Sequence, residues 1–264
     1  MTTESLPVTV DVRDGVAWVT LNRPAAANAL SRELVGALGH AMARLRGQEG
    51  DSVRAVVLTG AGDKAFCAGA DLKERRSMSL DETRSFLKHL NAVIDAVAAF
   101  PRPVIAAING AAFGGGLELA LACDLRLAAD SAELGLVETR LGIIPGAGGT
   151  QRLARTAGLA VAKELILTGR RIGAARAKEL GVVTDVVPAG ELAQAAARLA
   201  AELAGAGPLA VTQAKRAIDG GFDLPLPEAL AHERACYAVV LESEDRNEGL
   251  AAFTEKRPPK FTGK

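Results

Sequence analysis

Two short, uninterrupted apolar runs, Arg54 to Thr59 (RAVVLT) and Val104 to Ile108 (VIAAI), do most to limit how this chain can fold. Each suits a strand buried in a core, and each is closed by glycine: Gly60 and Gly62 after the first, Asn109-Gly110 after the second. Between and around them the sequence alternates strand and helix signals. Val8 to Arg13 and Val16 to Leu21 alternate about Asp14-Gly15, a pair that permits positive φ, and predict a hairpin. Ser31 can cap a helix carrying Leu34, Leu38, Met42 and Leu45. Ser79 and Glu82 form a capping-box pattern ahead of Phe86, Leu87, Leu90, Val93, Ile94 and Val97. That helix must stop near Phe100, because Pro101 and Pro103 follow.

Leu117 to Ala122 reads as a buried helical turn or two and Leu125 to Ala128 as a strand, giving the first half a strand, strand, helix rhythm. From Thr150 onward helices dominate, with breaks at Gly158, Gly169, Gly173, Gly181 and Pro208, and only Val182 to Val187 reads as a strand. The expectation is an α/β core over residues 1–195 followed by a helical region over 196–264, with no low-complexity linker between them.

Lysine plus arginine equal aspartate plus glutamate at 31 each, so no global field favours nucleic acid or an anionic membrane. Cys67, Cys123 and Cys236 are odd in number and lack CxxC spacing, which argues against a disulfide framework and for a reducing interior. Met1 to Gly15 carries Glu4, Asp11 and Asp14 and no basic lead into an apolar run, so neither a secretory signal nor a presequence is read, and the cytoplasm is expected. His40, His89 and His232 lie far apart, without acid or cysteine clusters that would suggest a metal.

The glycine runs match no nucleotide loop: GxxxxGK[ST] is absent, and Gly114-Gly115-Gly116 lacks the GxGxxG spacing. A strand, a glycine turn and a helix start do leave backbone N–H groups unpaired and aimed together, which suits an oxyanion. Glu118 sits just inside that helix among apolar residues (LELAL). A charge there costs several kcal/mol, on the order of the usual penalty for burying an ion, unless it is paired or protonated. A structural partner such as the backbone or Arg126 is one explanation; a carboxyl with a raised pKa is the other. Glu138 precedes LGIIPGAGG (Leu141 to Gly149), whose proline and glycines force an irregular backbone. It is either a solvated loop acid or a second working carboxyl.

CAGADL (Cys67 to Leu72), INGAAFGGGLELALACD (Ile108 to Asp124), GLVETRLGIIPGAGGTQRL (Gly135 to Leu153) and ESEDRNEGLAAFTEKRP (Glu242 to Pro258) together resemble the crotonase superfamily, in its order and spacing. The resemblance implies a spiral of ββα units with a helical C-terminal region for trimerisation, as a homotrimer or a dimer of trimers. It implies an enoyl-CoA hydratase acting on an acyl-CoA thioester. The N–H groups of Ala70 and Gly115 would bind the thioester oxygen, Glu118 would activate water, Glu138 would protonate the α-carbon, and Gly146 would help place the water. Ala68, Asp71, Leu72 and Lys73 match the region that holds adenine and pantetheine. Lys73 and Lys256 match lysines near the CoA phosphates. Tyr237 and Phe253 match aromatic positions lining CoA, from a neighbouring subunit in some relatives. No cofactor is implied, CoA being part of the substrate, and neither is a membrane or nucleic-acid partner.

Several stretches, among them AKELILTGR, look closest to the methylglutaconyl-CoA hydratase branch, which works in leucine breakdown. A substrate with a distal carboxylate would need a cation, and Arg75, Arg76 or Arg140 could supply it. Rivals are an enoyl-CoA delta-isomerase, which needs no attacking water, and a catalytically silent trimeric scaffold. From another class comes an RNA-binding protein on the same scaffold, using Arg32, His40, Arg44 and Arg46.

Overall fold

A computed structural model describes residues 6–47 and 52–264; Glu4, weighed above against a presequence, lies outside the described residues. β1 (Val8–Arg13) and β2 (Val16–Leu21) pair antiparallel, and the turn between them uses positive φ at Asp14 and Gly15. Six strands then follow in three pairs. They are β3 (Ala55–Gly60) with β4 (Ala65–Cys67), β5 (Val104–Ile108) with β6 (Ala111–Phe113), and β7 (Leu125–Ala129) with β8 (Glu133–Gly135). The first member of each pair joins a six-stranded sheet ordered β1-β2-β3-β5-β7-β10, where β10 is Asp185–Val187. The second joins a four-stranded sheet ordered β4-β6-β8-β9, where β9 is Ile172–Gly173. Each loop out of the larger sheet therefore feeds the smaller one, and β2 through β10 of the larger sheet run parallel.

The helices that return the chain are α1 (Arg32–Arg46), α2 (Leu72–Ser77), α3 (Leu80–Ala98), α4 (Gly115–Ala122), α5 (Gly149–Ala157), α6 (Leu159–Thr168) and α7 (Ala174–Glu179). Caps foreseen at Ser31 and Ser79 are formed, the latter as a full capping box with Glu82. All five residues of β5 are buried, which is why VIAAI shows no alternation. The expected strand Val182 to Val187 is shortened to β10. The carbonyl of Ala177, near the end of α7, takes the N–H groups of Val182 and Val183, and those residues turn with the helix end instead of pairing.

α8 (Leu192–Gly205) spans position 195/196 and packs on β2, β3, β5 and β7, so the larger sheet keeps its cover up to Gly205. Beyond it, α9 (Pro208–Gly221) and α10 (Leu226–Leu241) pair with each other, and α11 (Glu244–Glu255) follows. These last helices leave Ile218, Phe222, Leu226, Tyr237, Leu250 and Phe253 exposed. No described helix is long and apolar enough to cross a membrane.

Candidate active site

The smaller sheet and α4 meet at a place where only glycine fits. A Cβ on Gly116 would lie 2.0 Å from the carbonyl oxygen of Cys67, so the first turn of α4 rests directly on the backbone of β4. Just beyond β4, Ala70 forms a parallel bridge with Leu30 through the Gly69 carbonyl and the Asp71 N–H, leaving the Ala70 N–H directed to the opposite side. Gly115 opens α4, and its N–H is among the first-turn amides that a helix cannot satisfy from within. The two segments touch: a Cβ on Gly69, which holds φ 93, would be 3.5 Å from the Gly115 nitrogen. The two segments thus meet at the positive end of α4.

Glu118 follows on the same helix and is 2% exposed. Its Oε1 accepts N–H groups from Ala147 at 2.7 Å and Gly149 at 2.8 Å, partners from a turn some thirty residues on that sequence reasoning did not foresee. Burial pushes the Glu118 carboxyl up, while those two donors and the Arg152 guanidinium hold it down. With Oε1 occupied, Oε2 is the oxygen left for chemistry, and it lies 3.9 Å from where a Cβ on Gly115 would stand.

Glu138 begins a 3-10 turn (Glu138–Leu141), pinned by the Thr139 hydroxyl donating to the Ile166 carbonyl at 2.8 Å. Its Oε1 lies 3.0 Å from the Cβ position of Gly114, one residue from the glycine that faces Glu118. Its Oε2 is buried without a hydrogen-bond partner. Burial first, and the neighbouring Glu118 charge as well, push the Glu138 carboxyl up to about 7. Glu138 is therefore half-buried rather than the solvated loop acid that its sequence context allowed.

Both acids open on a cleft of about 630 Å³, with Ala68, Ala70, Leu72, Gly115 and Gly146 on its walls. The turn that carries Gly146 is fastened from two sides. Asn91 donates to the Gly146 carbonyl at 2.9 Å, and Arg152 donates to the Ala147 carbonyl at 2.9 Å while pairing with Asp95 at 2.7 Å. Arg152 stands one turn after Gly148, and that spacing was the only sequence signal for it. A larger cleft of about 790 Å³ lies between α3, α4 and α9, where Lys215 pairs with Asp124 and Arg152 with Asp95, and neither glutamate lines it.

A family model described as enoyl-CoA hydratase/isomerase matches residues 11–264. The chain belongs to this family, within the crotonase superfamily. It is 50% identical over 254 residues to the mouse enoyl-CoA hydratase domain-containing protein 2, mitochondrial, covering 95% of this chain and 85% of the relative. It is 46% identical over 253 residues to the human methylglutaconyl-CoA hydratase, mitochondrial, covering 94% and 74%. The crystal structure of an enoyl-CoA hydratase from Bacillus anthracis superposes with a TM-score of 0.96 at 49% identity, covering 98% of this chain and 100% of that one. The fold is the crotonase fold, and the protein is an enzyme of the crotonase type.

Within this crotonase frame not every residue singled out in the sequence reaches the cleft. Asp71 is half-buried in structural work, capping α2 through the Glu74 N–H and pairing with Arg23 at 3.1 Å. Lys73 is exposed outside the cleft wall. Tyr237, Phe253 and Lys256 sit on or after the C-terminal helices, 63% and 86% exposed for the two aromatics, and do not line the cleft of their own chain. Arg126 is no partner of Glu118, since its guanidinium donates to the carbonyls of Val182 and Cys123. On α1, Arg32 pairs with Glu74 and Glu82, and Arg46 donates to the Ala99 carbonyl.

Proposed function

We propose that this protein is an enoyl-CoA hydratase that adds water reversibly across the 2,3 double bond of an acyl-CoA thioester. The observation that carries the reading is the pair of carboxyls flanking Gly114 and Gly115. One is fastened by two backbone donors, the other is half-buried and pushed up to about 7. Water between them gives its proton to Glu118 Oε2 as its oxygen bonds the β-carbon. The π electrons move onto the thioester oxygen, held by the Ala70 and Gly115 N–H groups, and return to the α-carbon as it takes the proton of Glu138. The Gly146 N–H would help seat the water. The reaction draws on no group beyond the substrate's own CoA. Asp71, Lys73, Lys256, Tyr237 and Phe253 remain our assignments for the CoA end.

The sign of the pH dependence follows. Hydration needs Glu118 ionised and Glu138 protonated, so kcat/KM for crotonyl-CoA should fall as pH rises through about 7, the value to which Glu138 is pushed. A profile flat from pH 6 to 9 would contradict the acid role. Running a 3-enoyl-CoA beside crotonyl-CoA decides between hydratase and isomerase: double-bond migration without hydration would overturn the reading.

The similarity to methylglutaconyl-CoA hydratases supports a substrate of that kind, in leucine breakdown. We further propose a homotrimer or dimer of trimers, built through the exposed apolar residues of α9 to α11, which would bring Tyr237 and Phe253 to a neighbour's cleft. Light scattering at micromolar concentration should give a mass of three or six chains, and a monomer would refute it. The three cysteines are buried and unpaired, which supports a reducing compartment such as the cytoplasm.

A further inference from the structure

The turn before α5 reaches Glu118 through two of its peptide units. One of them runs from the Gly146 carbonyl to the Ala147 N–H, and that N–H donates to Glu118 Oε1 at 2.7 Å. The carbonyl at its other end is gripped from α3, where Asn91 Nδ2 donates to it at 2.9 Å. A trans peptide is planar and points its N–H opposite to its C=O, so a donor that fixes the oxygen also fixes where the hydrogen points. Asn91, this one peptide and Glu118 form an unbroken line from α3 to α4.

The side chain suits this task. Nδ2 also donates to the Leu87 carbonyl one turn back on α3, at 2.8 Å, which holds Asn91 against its own helix. Both neighbours are carbonyl oxygens, so the amide nitrogen and not the amide oxygen faces them, and its two hydrogens are both used. Packing backs the contact, since Leu87 Cδ2 lies 3.7 Å from the Cβ position of Gly146. Hydrogen bonds in such a line polarise one another, and a donor on the Gly146 oxygen makes the Ala147 N–H a better donor to Glu118. Asn91 is uncharged and does not line the cleft, so the peptide is its route to the site.

We infer that Asn91 is a positioning residue for hydration: it holds the Gly146–Ala147 peptide in the one orientation that keeps the Ala147 N–H on Glu118 Oε1 and leaves Oε2 to the water. The inference rests on the hydratase reading above and adds to it a residue outside the cleft. Two charges face Glu118. Arg152, paired with Asp95, comes from α5 and holds the next carbonyl, that of Ala147, while its field favours the ionised Glu118. Glu138 comes from the 3-10 turn. Neither charge changes when Asn91 is replaced by an uncharged residue, so such a variant reports on the peptide's orientation.

Asn91→Leu keeps the branched outline of the side chain and removes both donors. Leucine is the better helix former, so thermal melting should hold or rise. Hydration of crotonyl-CoA by the full-length protein should nevertheless lose about 10-fold in kcat with KM changed less than about 3-fold, because the base is misaimed while the binding groups stay. With its grip from Ala147 loosened, Glu118 should ionise later, and the acid limb of the kcat/KM profile should move to higher pH. Asn91→Asp is a second, near-isosteric test. Its carboxylate would face two carbonyl oxygens and turn the Gly146 peptide away, so it should lose more kcat than Asn91→Leu. If the wild type hydrates crotonyl-CoA and both variants keep kcat within about 2-fold with an unmoved acid limb, the positioning role is overturned and the hydratase reading stands. Early melting with unchanged kcat on the folded fraction would assign Asn91 to stability alone and overturn the role equally. A wild type without hydration activity would overturn the role and the hydratase reading together.

Discussion

Glu118→Gln and Glu138→Gln should each lower kcat for crotonyl-CoA hydration by about 10³-fold, within the usual range for removing a general acid or base. Glutamine keeps the shape of each carboxyl and loses the proton exchange. At position 118 the amide oxygen can still accept from Ala147 and Gly149, so the turn that carries Gly146 should stay in place and KM should change little. The double variant should be scarcely slower than either single one, because in the proposed reaction the two carboxyls act on the same water as a unit. Folding offers an independent check at position 138. Its folded value, about 7, stands above the ordinary 4.5, so its contribution to stability is fully present below 4.5 and is lost as pH rises through 7. Glu138→Gln should therefore match the wild type in calorimetric melting at pH 5 and melt no earlier, or later, at pH 8. Turnover within 10-fold of wild type in either variant would remove that residue from the reaction.

How much of this could be read from the residues depends on the length over which a signal is written. β3 and β5 were legible because burial on both faces leaves four or five apolar residues in a row, and α3 because nineteen residues repeat one apolar face behind a capping box. β4, β6 and β8 were not. Three residues are too few to show a period, and these strands exist because each pairs with the next turn of the spiral. The same distinction holds at the site. Glu118 announced itself as an acid in an apolar helix, a local conflict that sequence displays. Its partners Ala147 and Gly149, and the Arg152–Asp95 brace, are long-range contacts made through backbone amides or ordinary surface-type residues, and nothing in their local sequence marks them. Arg75 lay between the two cases: the sequence offered three arginines of equal standing, and its packing against Phe86 on the cleft wall is a contact that only the fold displays.

Gly116→Ala should be as damaging as the loss of a glutamate, though it touches no substrate. The new Cβ would meet the Cys67 carbonyl oxygen at 2.0 Å and its carbon at 2.8 Å, both backbone atoms that cannot swing aside. α4 cannot retreat either, since every residue from Gly116 to Ala122 is buried. The helix and β4 must then part by about 1 Å, a strain on the order of 3 kcal/mol, at the high end of overpacking costs. The functional loss comes from the same displacement. Gly115 rides on α4 and Ala70 on the chain leaving β4, so the gap between these elements is also the gap between the two donors we propose for the thioester oxygen. Misplacing one such donor typically lowers kcat by about 10²- to 10³-fold. Gly36→Ala, in the interior of α1 with nothing within 4 Å of its Cβ position, should instead raise stability by about 0.5–1 kcal/mol and leave kcat unchanged. Thermal unfolding and crotonyl-CoA kinetics on the folded fraction separate the two effects. A Gly116→Ala enzyme that melts early yet keeps kcat within about 3-fold of wild type would mean that donor spacing is not set by this contact.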